Sequence, residues 1–242
     1  MGLQGKTAVI IGGATGFGAA IARALAQNGA QVIIGDPDEA AAAMLAQDIG
    51  GLWSAVDPVQ NGAMGAMAYK VADQLGDIDI LVNAFVPPVG SKPLDEWTEA
   101  EFDQYVMAQT KPVYLATRHF VPAMKARHGG VILSILGPAK TTSSWPDAAY
   151  GWAAAGTRAM ARELAPFGIR VNALSVLTDT SPALPGFLGG TKNDARARKL
   201  AGIPLGRFTL PDDLAQAAVF LCSDAAGLIT GMVLDIDGGA GL

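Results

Sequence analysis

The chain has 242 residues, 50% of them hydrophobic and 16% charged, with a formal charge of −5 and no Lys/Arg-rich run. That length and hydrophobic content fit one well-packed domain and exclude a disordered chain, while the charge leaves no footprint for nucleic acid or an anionic membrane surface. No apolar run reaches the roughly 20 residues that span a bilayer, and the first strand candidate follows Met1 too closely for a signal peptide, so a cytoplasmic protein without membrane or nucleic-acid partners is expected.

In chain order, "TAVIIG", "AQVIIG", "GLWSAV", "DIDILVNA", "GGVILSIL", "GIRVNALSV" and "MVLDIDGG" read as strands, separated by stretches long enough for crossover helices. Their hydrophobicity is continuous rather than alternating, which suits strands buried on both faces of a parallel sheet. The expected fold is α/β: one doubly wound Rossmann-type domain over residues 1–242, with ligand at the carboxyl ends of the strands. The long irregular stretch 178–194, "TDTSPALPGFLGGTKND", reads either as a mobile lid over those ends or as a plain surface excursion. The single cysteine, Cys222 in "VFLCSD", excludes an internal disulfide, and its apolar neighbours indicate a buried structural thiol. His119 and His128 have no third ligand or acid partner in view, which gives them surface or capping roles and leaves no metal site.

The first two strand candidates carry the clearest chemistry. In "VIIGGATGFGAAIARALAQNGAQVIIGD" a strand runs into Gly12, Gly16 and Gly18, a helix follows, and the next strand ends at Asp36. Glycines permit a tight turn and close backbone approach to a pyrophosphate, and the helix N-terminus supplies N–H donors and a positive dipole end. Strand, glycines, helix and acidic residue together make this a strong nucleotide signature. Asp36 is placed to accept from both ribose hydroxyls of NAD and to repel the 2′-phosphate of NADP. Asp57, after the third strand, has two readings: a hydrogen bond to an adenine edge, or a cap on its own strand end.

From end to end the chain resembles the short-chain dehydrogenase/reductase family. "GGATGFG" matches the glycine motif, "DIDILVNA" the strand leading to the Asn-Asn-Ala-Gly motif, "GIRVNALS" the sixth strand, and "PDDLAQAAVFLCSDAAGLITGMVLDIDGG" the carboxyl-terminal segment. The resemblance implies a seven-stranded parallel sheet and NAD(P) as cofactor. It implies nucleotide contacts at Gly12, Gly16, Phe17, Gly18, Asp36, Asp57 and Asn83. It also implies dimers or tetramers built through two long central helices and the last strand.

The family's catalytic pattern breaks in this chain. A tyrosine there passes the hydroxyl proton, a lysine four residues later lowers its pKa and holds the nicotinamide ribose, a serine polarises the substrate oxygen, and an asparagine anchors a relay water. The tyrosine matches Tyr150, but the lysine position is Ala154. The serine position falls on Leu136 or Gly137, with Ser134 displaced along the strand, and the asparagine position is Gln109. Asn-Asn-Ala-Gly has become Asn83, Ala84, Phe85, Val86, followed by Pro87 and Pro88; the Pro-Gly after the sixth strand has become Val176 and Leu177; Ile11 and Phe17 alter the glycine motif. Most losses fall on the nicotinamide side.

A tyrosine with an ordinary pKa near 10 is phenolate in only about one molecule in a thousand at pH 7, a deficit of roughly 4 kcal/mol, and losing an oxyanion donor costs a further ~10²–10³ in rate. Arg158 lies about 12 Å along the helix from Tyr150, too far to replace the lysine directly, and Lys111 and Lys140 read as solvated surface residues. Tyr150 also has a bland reading as a packing residue with one hydrogen bond.

The pattern resembles that of inactive partner subunits in some two-subunit family members, including those that oxidise hydroxyacyl-CoA intermediates. The expected function is therefore an impaired subunit of an NAD-dependent dehydrogenase, acting with an active paralogue in a hetero-oligomer; a homodimer or homotetramer is the other assembly. Weak or absent NAD binding fits the altered channel. An active oxidoreductase using Tyr150 and Gln109 is the alternative, and a cofactor-independent lyase or dehalogenase is disfavoured by Ala154. The expected seam joins helices from about Pro112 to Arg127 and from about Ala149 to Pro166, using Ala153, Ala154, Ala155, Ala159 and Ala161 for close approach, with Tyr114, Trp152 and Met160 filling it.

Overall fold

The computed structural model describes residues 2–85, 94–137, 147–177 and 192–242. All seven expected strands form: β1 (Thr7–Ile11), β2 (Gln31–Asp36), β3 (Leu52–Ala55), β4 (Ile80–Asn83), β5 (Gly130–Leu136), β6 (Ile169–Val176) and β7 (Val233–Ile236). They build one parallel sheet in the order β3-β2-β1-β4-β5-β6-β7. The central strands β1 and β4 are buried throughout, whereas the edge strands β3 and β7 are partly open, as expected for a sheet covered on both faces.

The helices sort by face. On one face α1 (Gly16–Gln27), α2 (Glu39–Ile49) and α7 (Pro211–Cys222) pack Ile21, Leu45 and Leu214 onto Ile10, Ile34, Val82 and Leu174. On the other α3 (Asn61–Leu75), α4 (Glu99–Arg127) and α5 (Asp147–Leu164) pack Met64, Phe120 and Leu164 onto Val9, Ile11, Leu81 and Val171. Alternate residues of β1 thus serve opposite cores, which is why the strand reads as an unbroken apolar run. A short helix α6 (Lys192–Ala201) precedes α7, and Leu200 joins a third, smaller cluster of Leu177, Ile203 and Phe208.

Helix ends follow local chemistry. Asp38 accepts the Ala41 N–H at 3.0 Å to cap α2, and Thr98 with Glu101 forms a capping box on α4. His128 ends α4 in the left-handed conformation, φ 55°, so its role is a cap. His119 meets Asn61 Oδ1 through Nε2 at 3.0 Å between α4 and α3. Cys222 is buried, and burial pushes its thiol up to about 12, as befits a structural thiol.

The strand order reverses at β1, which lies between β2 and β4. That reversal opens a crevice above the carboxyl ends of β1 and β4, where Gly12 and Ala84 leave the sheet. Among the described residues no helix is long and apolar enough to cross a membrane.

Candidate functional site

The crevice is floored by the glycine loop. Gly12 takes φ +78°, and a Cβ there would lie 2.6 Å from the Phe85 backbone, so the β1 exit is pressed against the chain leaving β4. A Cβ on Gly18 would lie 2.2 Å from the Gly12 carbonyl oxygen, so α1 closes on the loop itself. Gly16 differs: at φ +56° it has no atom within 4 Å of the Cβ position, and its backbone faces open space. Thr15 is the N-cap of α1 but makes no side-chain cap hydrogen bond, and the first turn carries no acidic residue. The helix therefore presents first-turn N–H groups and its positive dipole end to the crevice.

Asp36 is buried at the end of β2, where Oδ2 accepts the Ala14 N–H and Oδ1 the Asp38 N–H, both at 3.0 Å. The carboxylate is thus held rigidly beside the glycine loop while each oxygen keeps a second lone pair for a ligand hydroxyl. Asp57 is exposed, and Oδ1 accepts the Val59 N–H at 3.1 Å, so it caps the turn after β3. An open loop, an unshared helix N-terminus and a fixed anion at the ribose end suit the adenosine and diphosphate half of a dinucleotide.

Toward the β7 edge of the sheet the arrangement is different. Tyr150 sits in the first turn of α5 and donates its hydroxyl to Asp235 Oδ1 on β7 at 3.5 Å. Burial raises the phenol above its ordinary value; the charge of Asp235, its hydrogen bond and Asp237 add to the rise, and Arg158 opposes it. This is the reverse of activation by a lysine. Ala154, at the lysine position, is 5% exposed and packs inside the protomer. Leu136 is buried and Gly137 offers only backbone, its carbonyl accepting from Ser175 Oγ at 3.4 Å.

Ser134 is buried at the β4–β5 seam, opposite Asn83, whose Nδ2 donates to its Oγ at 3.5 Å. Asn83 is itself buried, and its Oδ1 has no hydrogen-bond partner among the described residues. Gln109 lies on α4, but its side chain falls outside the described residues, as do Val86, Pro87, Pro88, Lys140 and residues 178–191 of the lid stretch. Asp235 and Ser175 were not singled out in the sequence, although each is a polar interruption of an apolar strand run, and the β6–β7 register sets them opposite one another.

Val176 and Leu177 do not stand free in the crevice. Both are buried, and Leu177 is bonded to Thr209 in both directions, its N–H to Oγ1 at 3.3 Å and its carbonyl from the Thr209 N–H at 3.1 Å. This ties β6 to the segment carrying Phe208, next to Phe17 and Gly16 in a cleft of about 460 Å³. At the expected seam, Tyr114 is 55% exposed and Trp152 51% exposed. Ala154 and Ala161 face inward, whereas Ala155 and Ala159 are exposed.

Fold and loop together define an α/β domain of the Rossmann type. The family described as enoyl-(acyl carrier protein) reductase matches residues 12–241. 4-Formylbenzenesulfonate dehydrogenase of Comamonas testosteroni is 36% identical over 99% of both chains. cis-4-Hydroxycyclohexanecarboxylate dehydrogenase of Sinomonas cyclohexanicum is 35% identical over 97% of this chain and 96% of its own. The crystal structure of 3-ketoacyl-(acyl-carrier-protein) reductase from Brucella melitensis complexed with NADH matches at a TM-score of 0.89 and 36% identity, covering 99% of this chain and 100% of that one. The chain belongs to the short-chain dehydrogenase/reductase family.

Proposed function

We propose that the chain is a subunit of an NAD-dependent alcohol dehydrogenase complex, strongly impaired in its own redox chemistry and acting through an active paralogue of the same fold. The observation that carries this reading is the setting of Tyr150. Nicotinamide supplies a hydride acceptor or donor, and the family's tyrosine moves the matching hydroxyl proton. Here the phenol is turned to a carboxylate, its pKa is raised, and the positions that would supply a cation and a hydroxyl hold Ala154, Leu136 and Gly137. Fewer than about one phenol in a thousand is ionised at pH 7 when the pKa exceeds its ordinary value of about 10.

NAD is the cofactor proposed for the adenine-side site, with Gly12, Gly16, Phe17 and Gly18 around the diphosphate and Asp36 at the ribose. The two dehydrogenase relatives are named for six-membered rings that bear an acid group. A substrate of that kind is proposed for the complex. Exposed Tyr114 and Trp152 on α4 and α5 supply the docking face for the paralogue.

Co-expression with a paralogue that has an intact serine, tyrosine and lysine set tests the reading. Size exclusion and mass spectrometry should give a mixed oligomer whose activity needs the paralogue's tyrosine and survives Tyr150→Phe in this chain. A monomer, or a homo-oligomer that ignores every paralogue of its genome, contradicts it. The full-length likeness to a dehydrogenase favours a second reading, an active enzyme using Tyr150 and Gln109, and turnover lost in Tyr150→Phe would establish that one.

A further inference from the structure

The outer face of α4 and α5 has the opposite sign of charge to the chain as a whole, whose formal charge is −5. The acids of α4, Glu99, Glu101 and Asp103, all precede Met107, and from there to Arg127 the helix has none. From Tyr150 onward α5 has one acid, Glu163, and Lys125 holds it at 3.6 Å. Against this stand Lys111 and Arg118 on α4 and Arg158 and Arg162 on α5. The three arginines are exposed and Lys111 is half-buried, and none of the four makes an ion pair with a described residue.

Helical spacing gathers these cations on the face that also carries the exposed aromatics. Met107, Lys111, Tyr114 and Arg118 recur along one side of α4, as do Ala155, Arg158, Ala159 and Arg162 along α5. Thr117 Oγ1 meets Met160 Sδ at 3.8 Å and Lys125 meets Glu163, so the two helices lie side by side and their stripes form one surface. Arg118 donates from Nη1 to the Tyr114 hydroxyl at 3.1 Å, which holds the guanidinium on that surface while leaving most of its donors for a carboxylate. A two-fold pairing of identical chains lays one patch on itself. Centred on Tyr114, it would set Lys111 and Arg118 of one copy beside those of the other, and like charges brought together across an interface select against that partner.

We infer that the α4 and α5 face discriminates against a second copy of this chain and accepts a paralogous chain whose corresponding face is acidic. Tyr114 and Trp152 supply apolar area in either pairing, and Arg118, Arg158 and Arg162 decide between them. This rests on the reading of α4 and α5 as the docking face for a paralogue, and it adds the chemistry by which that partner is chosen.

Sedimentation velocity on the parent chain, labelled at its amino terminus and mixed with a face-reversed copy carrying Arg118→Glu and Arg162→Glu, tests it. The mixtures are compared at about 0.01 M and about 1 M salt, where the screening length is about 30 Å and about 3 Å. Both forms are net acidic, so overall charge opposes their pairing and only the local face can favour it. At low salt the mixed pair should form at least about tenfold more tightly than the parent pairs with itself, a difference of about 1.4 kcal/mol, and the preference should vanish at high salt. A neutralised copy, Arg118→Gln with Arg162→Gln, should pair with itself more tightly than the parent does at low salt, with unchanged thermal melting. A parent that pairs with itself as tightly as with the reversed copy overturns the inference. So does a preference that survives high salt, or a failure of every mixture to associate. The assay uses only forms of this chain and reads no activity, so its failure removes the charge rule, whereas redox turnover by the pure chain would remove the impaired-subunit reading instead.

Discussion

Gly18→Ala probes the glycine loop at its tightest point. A methyl carbon at position 18 would lie 2.2 Å from the Gly12 carbonyl oxygen and 3.0 Å from Gly13 Cα. Close carbon–oxygen contacts between packed backbones lie at about 3.3–3.6 Å, so the overlap is about 1 Å and involves backbone that cannot rotate aside. Overpacking of this kind costs about 1–3 kcal/mol. A chain of this size loses about 2–4 °C of Tm per kcal/mol, which gives a fall of about 2–12 °C. The same displacement moves the first turn of α1 away from the loop, so NAD affinity falls as well. Gly16→Ala acts through a different cause, since no atom lies within 4 Å of its Cβ position. Its stability cost is the left-handed backbone alone, about 1–2 kcal/mol, while its methyl group fills the space a diphosphate would enter. Thermal unfolding followed by circular dichroism, with NAD calorimetry on the three proteins, checks both. A Gly18→Ala protein that melts with the parent and binds NAD equally would refute the described loop and its role as a nucleotide cradle.

Other consequences concern charge and assembly. Tyr150 should titrate above about pH 10, seen as the tyrosinate absorbance missing from Tyr150→Phe, and Asp235→Asn should lower its midpoint. Because the folded value is raised, the associated stability is intact below the ordinary phenol value and is lost as pH rises through the folded one. Asp36→Asn leaves one of two backbone N–H groups without its acceptor, which should cost about 1–3 kcal/mol in denaturant unfolding and erase the preference for NAD over NADP in calorimetry. Trp152→Glu, on the exposed face of α5, should shift the oligomer toward monomer in size exclusion without changing thermal melting of the protomer.

The inner strands were legible because strands buried on both faces are apolar along nearly their whole length, and the partly open edge strands β3 and β7 were legible from shorter apolar runs bounded by glycine and polar residues. The glycine loop was legible for a steric reason: Gly12 and Gly18 sit where a Cβ meets backbone, so the sequence has little freedom there. The partner of Tyr150 was not legible. Asp235 lies 85 residues away and reaches it only through the placement of β7 beside β6. The alanine stripe of α5 showed a helix able to pack closely but not which side faces the sheet; Ala154 and Ala161, two turns apart, turned out to face inward.

The central claim is that Tyr150, bonded to Asp235 with Ala154 where a cation would stand, does not drive redox chemistry. NAD-linked turnover by the purified chain, measured with ring-bearing alcohols beside the same chain carrying Tyr150→Phe, tests it most directly. The account predicts that the two proteins are equally inactive at neutral pH, with activity appearing only when the paralogue is added. Robust turnover by the chain alone that disappears in Tyr150→Phe would contradict it.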